Sequence, residues 1–141
     1  MLWKNAFDLD AVNAVSKNTL VENLGIEFKE IGADYLVAHM PVDSRTVQPY
    51  RLLHGGASVA LAETLGSIAS TLMINLETHQ AVGVEINANH LSSAKEGSHV
   101  IGTVRALRIG KNIHVWNIDI TNTEGKTMCV SRITIAVIER R

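Results

Sequence analysis

The sequence is short of proline, cysteine, aromatic residues and net charge. Its 141 residues include two prolines and one cysteine, 4% are aromatic, and the formal net charge is −1. The scarcity of proline, together with 46% hydrophobic residues, excludes a disordered or fibrous chain and indicates a globular one. A chain of this length is the size of one domain, and we predict a single domain over residues 1–141.

The near-neutral charge also limits the partners. Without a basic excess there is no bulk attraction to nucleic acid or to an anionic membrane, so we predict neither as a partner, although a small basic patch for a phosphorylated ligand is compatible with this charge. Lys4, Asp8 and Asp10 interrupt the apolar run that a signal peptide needs. The single cysteine, Cys129, cannot form an internal disulfide, which fits a reducing compartment, and we expect a cytoplasmic protein.

Capping residues and periodicity predict the secondary structure. Asp8 can cap a short helix, Thr19 to Glu22 has the spacing of a capping box, and Gly25 is placed to end that second helix. Cys129 lies in an alternating segment, so a small strand residue is the preferred interpretation and a reactive thiol the alternative. Strands are predicted at residues 26–31, 35–41, 82–89, 100–107, 113–121 and 128–138.

The third predicted strand has a distinctive alternation. Val82, Val84, Ile86 and Ala88 alternate with glycine, glutamate and asparagine, so we predict one apolar face on this strand. This composition makes it the strand expected to pair with a second copy of the chain across a two-fold axis.

The segment from Gly55 to Leu76 is predicted to form a buried helix. Small and apolar residues fill it, and Glu63 is its only charged residue. A membrane span is the alternative, but Glu63, Gly66 and several hydroxyl residues argue against it. Two strands, one long apolar helix and four further strands indicate an α+β fold in which an antiparallel sheet wraps around the central helix.

Two groups on this helix are candidates for chemistry. At its start, after His54, the first N–H groups of the helix are unpaired and can stabilise an oxyanion, and Gly55 and Gly56 let a carbonyl approach closely. A simple turn is the alternative reading of the glycines. Glu63 has no lysine or arginine on its helix, which indicates either a functional carboxylate or a position at a solvent edge.

The spacing of these two groups along the helix indicates that a complete site needs two copies of the chain. Glu63 lies eight residues after Gly55, about 12 Å along the helix at 1.5 Å per residue. One helix therefore cannot bring both groups to one carbonyl, whereas a two-fold partner with an antiparallel helix can. Ser67 follows Glu63 by one turn, where it can hydrogen-bond the carboxylate or a water, or serve only in packing.

The sequence resembles a known family. The run from Gln48 to Glu63 with His54-Gly55-Gly56 before the helix, the later Ser67, and the segment 83–90 with its Asn-Ala-Asn-His end resemble the hot-dog-fold acyl-CoA thioesterases. The likeness extends over almost the whole chain. It is greatest to the bacterial branch that contains the 1,4-dihydroxy-2-naphthoyl-CoA, enterobactin-pathway proofreading and Arthrobacter-type 4-hydroxybenzoyl-CoA thioesterases.

The resemblance implies a set of roles. Glu63 is then the catalytic carboxylate, as nucleophile or as general base. The Gly55 N–H polarises the thioester carbonyl, Gln48 and His54 bind or orient it, and Ser67 supports the carboxylate or the water. The resemblance also implies an acyl-CoA or acylated carrier protein as substrate, with an aromatic or medium-chain acyl group, a dimer or tetramer, and no cofactor or metal.

Coenzyme A carries phosphates, which the family binds near strand ends. The residues implied to bind them here are Asn89, His90, Lys95, Arg108 and Lys111, with solvated surface charge as the alternative for each. The chain also departs from its relatives in two places. In the loop of the acyl pocket, the relatives tend to carry Phe-Gly, whereas this chain has Tyr50-Arg51. In the nucleotide site, the relatives tend to carry arginine, whereas this chain has Ser92.

Two other functions are weighed against hydrolysis. Hot-dog dehydratases of 3-hydroxyacyl thioesters also use a histidine and a helical acid, but their histidine usually lies in a different motif, whereas His54 runs directly into Gly55-Gly56. A non-catalytic acyl-CoA sensor needs an appended DNA-binding motif for which this chain has no room.

Overall fold

The computed structural model describes all residues, 1–141, and contains one six-stranded sheet. Its strands are all antiparallel to their neighbours, in the order β1-β2-β4-β5-β6-β3. The sheet packs against one long helix, which confirms the predicted α+β architecture. No helix has the length and apolar character needed to cross a membrane. The elements are α1 Leu9–Ala14, α2 Leu20–Asn23, β1 Glu27–Ile31, β2 Tyr35–Pro41, α3 Gly55–Thr71, β3 His79–His90, β4 His99–Ile109, β5 Ile113–Thr121 and β6 Thr127–Glu139.

The two short helices start as their capping residues predict. The Asp8 carboxylate accepts a hydrogen bond from the Ala11 N–H at 2.8 Å, and the Thr19 hydroxyl accepts one from the Val21 N–H at 3.2 Å. The reciprocal half of the capping box is shifted, because the Glu22 carboxylate accepts from the Asn18 N–H instead of from Thr19.

The buried face of α3 forms the centre of the core. Ala57, Leu61, Leu65 and Ala69 are buried against the sheet, at the spacing of one helix face. The other face is only partly covered within the chain, and its stripe follows the same helical spacing. We call it the open stripe; its residues are Val59, Ala60, Glu63, Thr64, Ser67, Ile68 and Thr71.

The long helix ends five residues earlier than predicted, at Thr71 instead of Leu76. The N-terminal segment is the reason, because it takes the carbonyl groups that a longer helix would use. The Asn5 side-chain amide donates to the carbonyls of Thr71 and Ile74, and the Asn5 N–H donates to that of Leu72. These bonds satisfy the C-terminal carbonyls and stop the helix.

The prediction that β3 has one apolar face is wrong. A bulge in its pairing with β6 lies between Gly83 and Glu85, and one extra residue reverses the alternation of side chains. Ile86 and Ala88 therefore pack on the core, whereas Val82 and Val84 are exposed, Val84 to 61%. Since β3 pairs only with β6, these valines lie along a free sheet edge.

Candidate functional site

The start of α3 carries one free backbone donor. His54 is the N-cap, and its Nδ1 accepts a hydrogen bond from the Gly56 N–H at 2.7 Å. Nδ1 is therefore unprotonated, and the ring proton lies on Nε2. The Gly55 N–H donates to no acceptor in the chain, so it is available to a ligand at the positive end of the helix dipole.

A side chain at position 55 would meet a close neighbour. A Cβ placed there would lie 2.8 Å from Nε2 of His90, a residue at the end of β3. The imidazole thus lies against the helix start, in the space that any other side chain at position 55 would occupy. His90, implied by the resemblance to bind coenzyme A, is a direct neighbour of the free N–H.

A cleft of about 230 Å³ opens at this helix start. Gln48 lies in its wall, and the Gln48 Oε1 accepts a hydrogen bond from the Tyr50 N–H. With that oxygen occupied, the side-chain NH₂ group is left to donate to a ligand. The cleft thus combines an amide donor from Gln48 with the free Gly55 N–H. The residues lining it are Gln48, Leu52, Leu53, Gly55, Ser58, His90, Ser92, Ser93 and Met128.

Glu63 is not in this cleft. Its side chain is exposed within the chain and makes no hydrogen bond or ion pair, so the solvent-edge alternative describes its position in a single chain. Ser67, one turn along, makes no side-chain hydrogen bond to it either. Both residues belong to the open stripe, so one chain brings together Gln48, Gly55 and His90 but leaves out the carboxylate.

The residues implied to bind the coenzyme A phosphates do not form one cluster within a chain. Lys95 is joined to Leu52 by a β-bridge beside the cleft. Lys111 lines a different cleft, of about 520 Å³, at the opposite end of α3, about 25 Å away for a helix of 17 residues. Arg108 lies at the same end of β4 as Lys111, and Asn89 lines a shallow depression without His90. Extended β4 separates residues that are close in sequence.

Sequence reasoning missed an ion pair at the cleft. Arg51 donates two side-chain hydrogen bonds to Glu96, and its backbone has a φ of +63°. The unusual Tyr50-Arg51 dipeptide was the available signal, but no sequence pattern linked it to Glu96.

Two buried groups lie outside the cleft. The Ser70 hydroxyl of α3 accepts from the Trp116 indole N–H at 2.7 Å and lies 3.0 Å from His114 Nδ1. Burial lowers the pKa of His114, and a hydrogen bond to Gly110 opposes this effect.

Burial raises the pKa of Cys129, which favours the strand-residue interpretation over a reactive thiol.

Comparison with known proteins identifies the family. The sequence profile of the Thioesterase superfamily matches residues 50–129. The 1,4-dihydroxy-2-naphthoyl-CoA hydrolase of Escherichia coli is 49% identical over 138 residues, which are 98% of this chain and 100% of that protein. A proofreading thioesterase of Cronobacter turicensis is 47% identical over 138 residues, 98% of this chain and 99% of its own.

Solved structures agree with the sequence relatives. A mutant thioesterase from Pseudomonas aeruginosa has a TM-score of 0.96 at 44% identity and covers 99% of this chain and 100% of its own. A thioesterase from Haemophilus influenzae has a TM-score of 0.94 at 48% identity, covering 99% and 96%. The resemblance predicted from the sequence is confirmed: this chain belongs to the thioesterase superfamily and is a thioester hydrolase with the hot-dog fold.

Proposed function

We propose that this chain hydrolyses acyl-CoA thioesters to the free acid and coenzyme A, at sites shared between two copies of the chain. The observation that carries the proposal is the unpartnered Gly55 N–H at the start of α3, in a cleft that also contains the Gln48 amide. Attack on a thioester carbonyl develops negative charge on its oxygen. Fixed donors aimed at that oxygen stabilise the transition state.

Each residue has a chemical role in this proposal. The Gly55 N–H and the Gln48 NH₂ group donate to the carbonyl oxygen as its charge grows. His54 fixes the helix start through its bond to the Gly56 N–H and has its Nε2 proton to offer to the ligand. Glu63 attacks the carbonyl carbon or removes a proton from the attacking water, and the coenzyme A thiolate leaves. Ser67 supports the carboxylate or the water.

The carboxylate is proposed to come from the second copy. Glu63 lies about 12 Å along α3 from Gly55 and is exposed in the single chain. A two-fold axis that sets two α3 helices antiparallel, open stripe to open stripe, would place each Glu63 opposite the other Gly55. The free edge of β3, with exposed Val82 and Val84, supports pairing of the two sheets beside the helices. A tetramer made of two such dimers extends the same proposal.

The same arrangement would bring the proposed phosphate-binding residues together. Antiparallel helices bring the carboxyl end of one α3 towards the amino end of the other. Arg108 and Lys111 of one copy are therefore proposed to bind the coenzyme A phosphates together with His90, Asn89 and Lys95 of the other. Neither lysine forms an ion pair within the chain, so both charges are free for phosphate.

The substrate class follows from the relatives. The name of the Escherichia coli relative specifies an aromatic acyl-CoA, and we propose an aromatic acyl-CoA, with medium-chain acyl-CoA and acylated carrier protein as the other substrates to compare. The proposed chemistry calls for no cofactor or metal ion, because amide donors and a carboxylate supply both the polarisation and the attack. The active unit comprises one domain, residues 1–141, in each copy. Its proposed location is the cytoplasm, which the single free cysteine supports.

The test is a panel that follows thiol release from benzoyl-, dihydroxynaphthoyl-, medium-chain and long-chain acyl-CoA and from acylated carrier protein. We expect turnover of at least one aromatic acyl-CoA, insensitive to EDTA, with free acid and thiol formed in equal amounts. Absence of thiol release from every substrate by the purified, folded oligomer would refute the proposal. Water addition or loss on a 3-hydroxyacyl-CoA without thiol release would point to the dehydratase alternative.

A further inference from the structure

Arg51 has a strained backbone beside the cleft. Its φ of +63° lies in the left-handed region, where a side chain is disfavoured and glycine is at ease. This chain nevertheless carries arginine here, in the dipeptide Tyr50-Arg51. An arginine held in a conformation that suits glycine indicates that its side chain has a role that glycine cannot fill.

The side chain of Arg51 is held by Glu96. The guanidinium forms two hydrogen bonds to the carboxylate, from Nε to Oε2 at 2.9 Å and from Nη2 to Oε1. Two such bonds fix orientation as well as distance. The backbone adds a third link, because the Glu96 N–H donates to the Arg51 carbonyl at 3.3 Å. We call these two residues the Arg51–Glu96 clamp.

The clamp joins the two segments that form the walls of the cleft. Residues 48–53 supply Gln48 to the cleft, and the segment that ends at Glu96 supplies Ser92. A hydrogen bond from the Leu53 N–H to the Ala94 carbonyl, at 2.9 Å, also connects the segments. The Leu53 bond lies at the end of residues 48–53 that leads into α3. The clamp lies further from α3 and is the connection nearer to the middle of that loop.

Arg51 is also bonded directly to Gln48. The Arg51 N–H donates to the Gln48 carbonyl oxygen at 2.8 Å. The intervening Tyr50 N–H donates to the Gln48 side-chain oxygen, which is what leaves the NH₂ group free. Movement of Arg51 would therefore change both the backbone and the side-chain orientation of Gln48.

We propose that Arg51 and Glu96 are positioning residues of the thioesterase reaction, which act by holding the Gln48 amide in line with the Gly55 N–H. The inference rests on the proposed function above, since it assigns the clamp to the step in which those two donors meet the carbonyl oxygen. The clamp takes no part in bond making. Its contribution is the fixed geometry of a donor, on which transition-state stabilisation depends.

The first test compares variants of the clamp. Glu96→Gln and Arg51→Ala should each lower kcat about tenfold with KM within about twofold, because a misplaced donor acts mainly on the transition state. Arg51→Lys, which keeps the charge but loses the paired geometry, should recover part of the loss. Arg51→Gly relieves the backbone strain but removes the ion pair, so it should lower kcat while raising the melting temperature above that of Arg51→Ala.

The second test asks whether the clamp acts through Gln48. In a Gln48→Ala background the donor is already gone, so Glu96→Gln should have no further effect on kcat. If the two substitutions multiply their losses, the clamp does not act through Gln48 and the proposal is overturned. The matched control is Asp34→Asn, which breaks the exposed Asp34–Arg105 pair of 3.1 Å on another part of the surface and should leave kcat unchanged.

Amide hydrogen exchange separates this inference from the proposed function. Glu96→Gln should speed exchange of the Arg51 and Tyr50 N–H groups in the folded protein, whether or not a substrate has been found. Unchanged exchange at both amides would overturn the clamp. A wild-type protein without thiol release would contradict the proposed function. An active wild type together with a fully active Glu96→Gln variant would contradict only the positioning role of the Arg51–Glu96 clamp.

Discussion

The Glu63 carboxylate lies directly against the backbone of Gly83. A Cβ built on Gly83 would be 2.9 Å from Glu63 Oε1, so the absence of a side chain on β3 leaves the room in which the carboxylate lies. The obstructing atom is the far end of a flexible side chain, which can move without disturbing the core.

Gly83→Ala should therefore displace Glu63 while the fold stays intact. We expect kcat to fall by about tenfold or more, because displacement of a catalytic group by about 1 Å can cost up to 10²-fold, with little change in melting temperature. The measurement is steady-state kinetics beside thermal unfolding, with Gln80→Ala on the same strand as the control. Full activity in Gly83→Ala would show that the carboxylate does not work from this position.

Glu63→Gln tests the carboxylate itself. The side chain makes no hydrogen bond or ion pair within the chain, so its replacement by an amide of the same shape should leave stability unchanged. Catalysis should fall by at least about 100-fold, since general-base or nucleophilic assistance contributes that much or more. Near-wild-type kcat in a folded Glu63→Gln protein contradicts the mechanism.

The sequence predicts elements well where local patterns decide them. β2 and β5 have the predicted bounds, because alternation and turn residues at both ends are local signals. The bulge in β3 could not be predicted, since its residues alternate perfectly and only the register with β6 inserts the extra residue. The end of α3 is set by Asn5, 66 residues before Thr71 in the chain.

In the candidate site, too, features with a local sequence signal could be predicted, and contacts between distant residues could not. Gly55, Gln48 and His90 were identified as candidates from the sequence and do meet at one cleft. The Arg51–Glu96 pair was not found, because it joins residues 45 positions apart with no periodic signal. The candidate phosphate-binding residues from Asn89 to Lys111 looked like one cluster only because the sequence does not display the length of β4.

Stability should decrease in mild acid, and His114 should be one cause. Burial lowers its pKa in the folded state, with nearby Lys4 acting in the same direction and the Gly110 hydrogen bond opposing. The unfolded chain, with an ordinary histidine pKa of about 6.5, then binds the proton more tightly. The free energy of unfolding should be level above about pH 6.5 and fall below it, until folded His114 is itself protonated.

Urea unfolding at pH 7.5 and pH 5, followed by tryptophan fluorescence, measures this loss. His114→Asn, whose side chain can still meet the Ser70 hydroxyl, should reduce the difference between the two pH values. His39 also has a lowered pKa, from burial and from the neighbouring His99 and Lys29, with Glu27 opposing, so His39→Asn is measured in parallel. An unchanged pH difference in His114→Asn would remove His114 as a cause.

The shared site is tested by complementation between two inactive proteins. Glu63→Gln lacks the acid, and Gly55→Pro lacks the N–H donor. Proline suits this position, because it is the first residue of α3, and His54 before it has the extended conformation, φ −68° and ψ 130°, that proline requires. The ring would have to displace the His90 imidazole, a surface side chain that can move, so the fold should survive.

If each site takes its acid from one copy and its amide from the other, a mixed dimer has one complete site and one with neither group. Subunit exchange should then recover up to about half of the wild-type activity per heterodimer, because one of two sites regains both groups in reacting geometry. Differently tagged parents allow the heterodimer to be isolated before its thiol release is measured. A folded heterodimer as inactive as its parents, or a wild-type monomer with full activity, would mean that one chain does not need the other's Glu63.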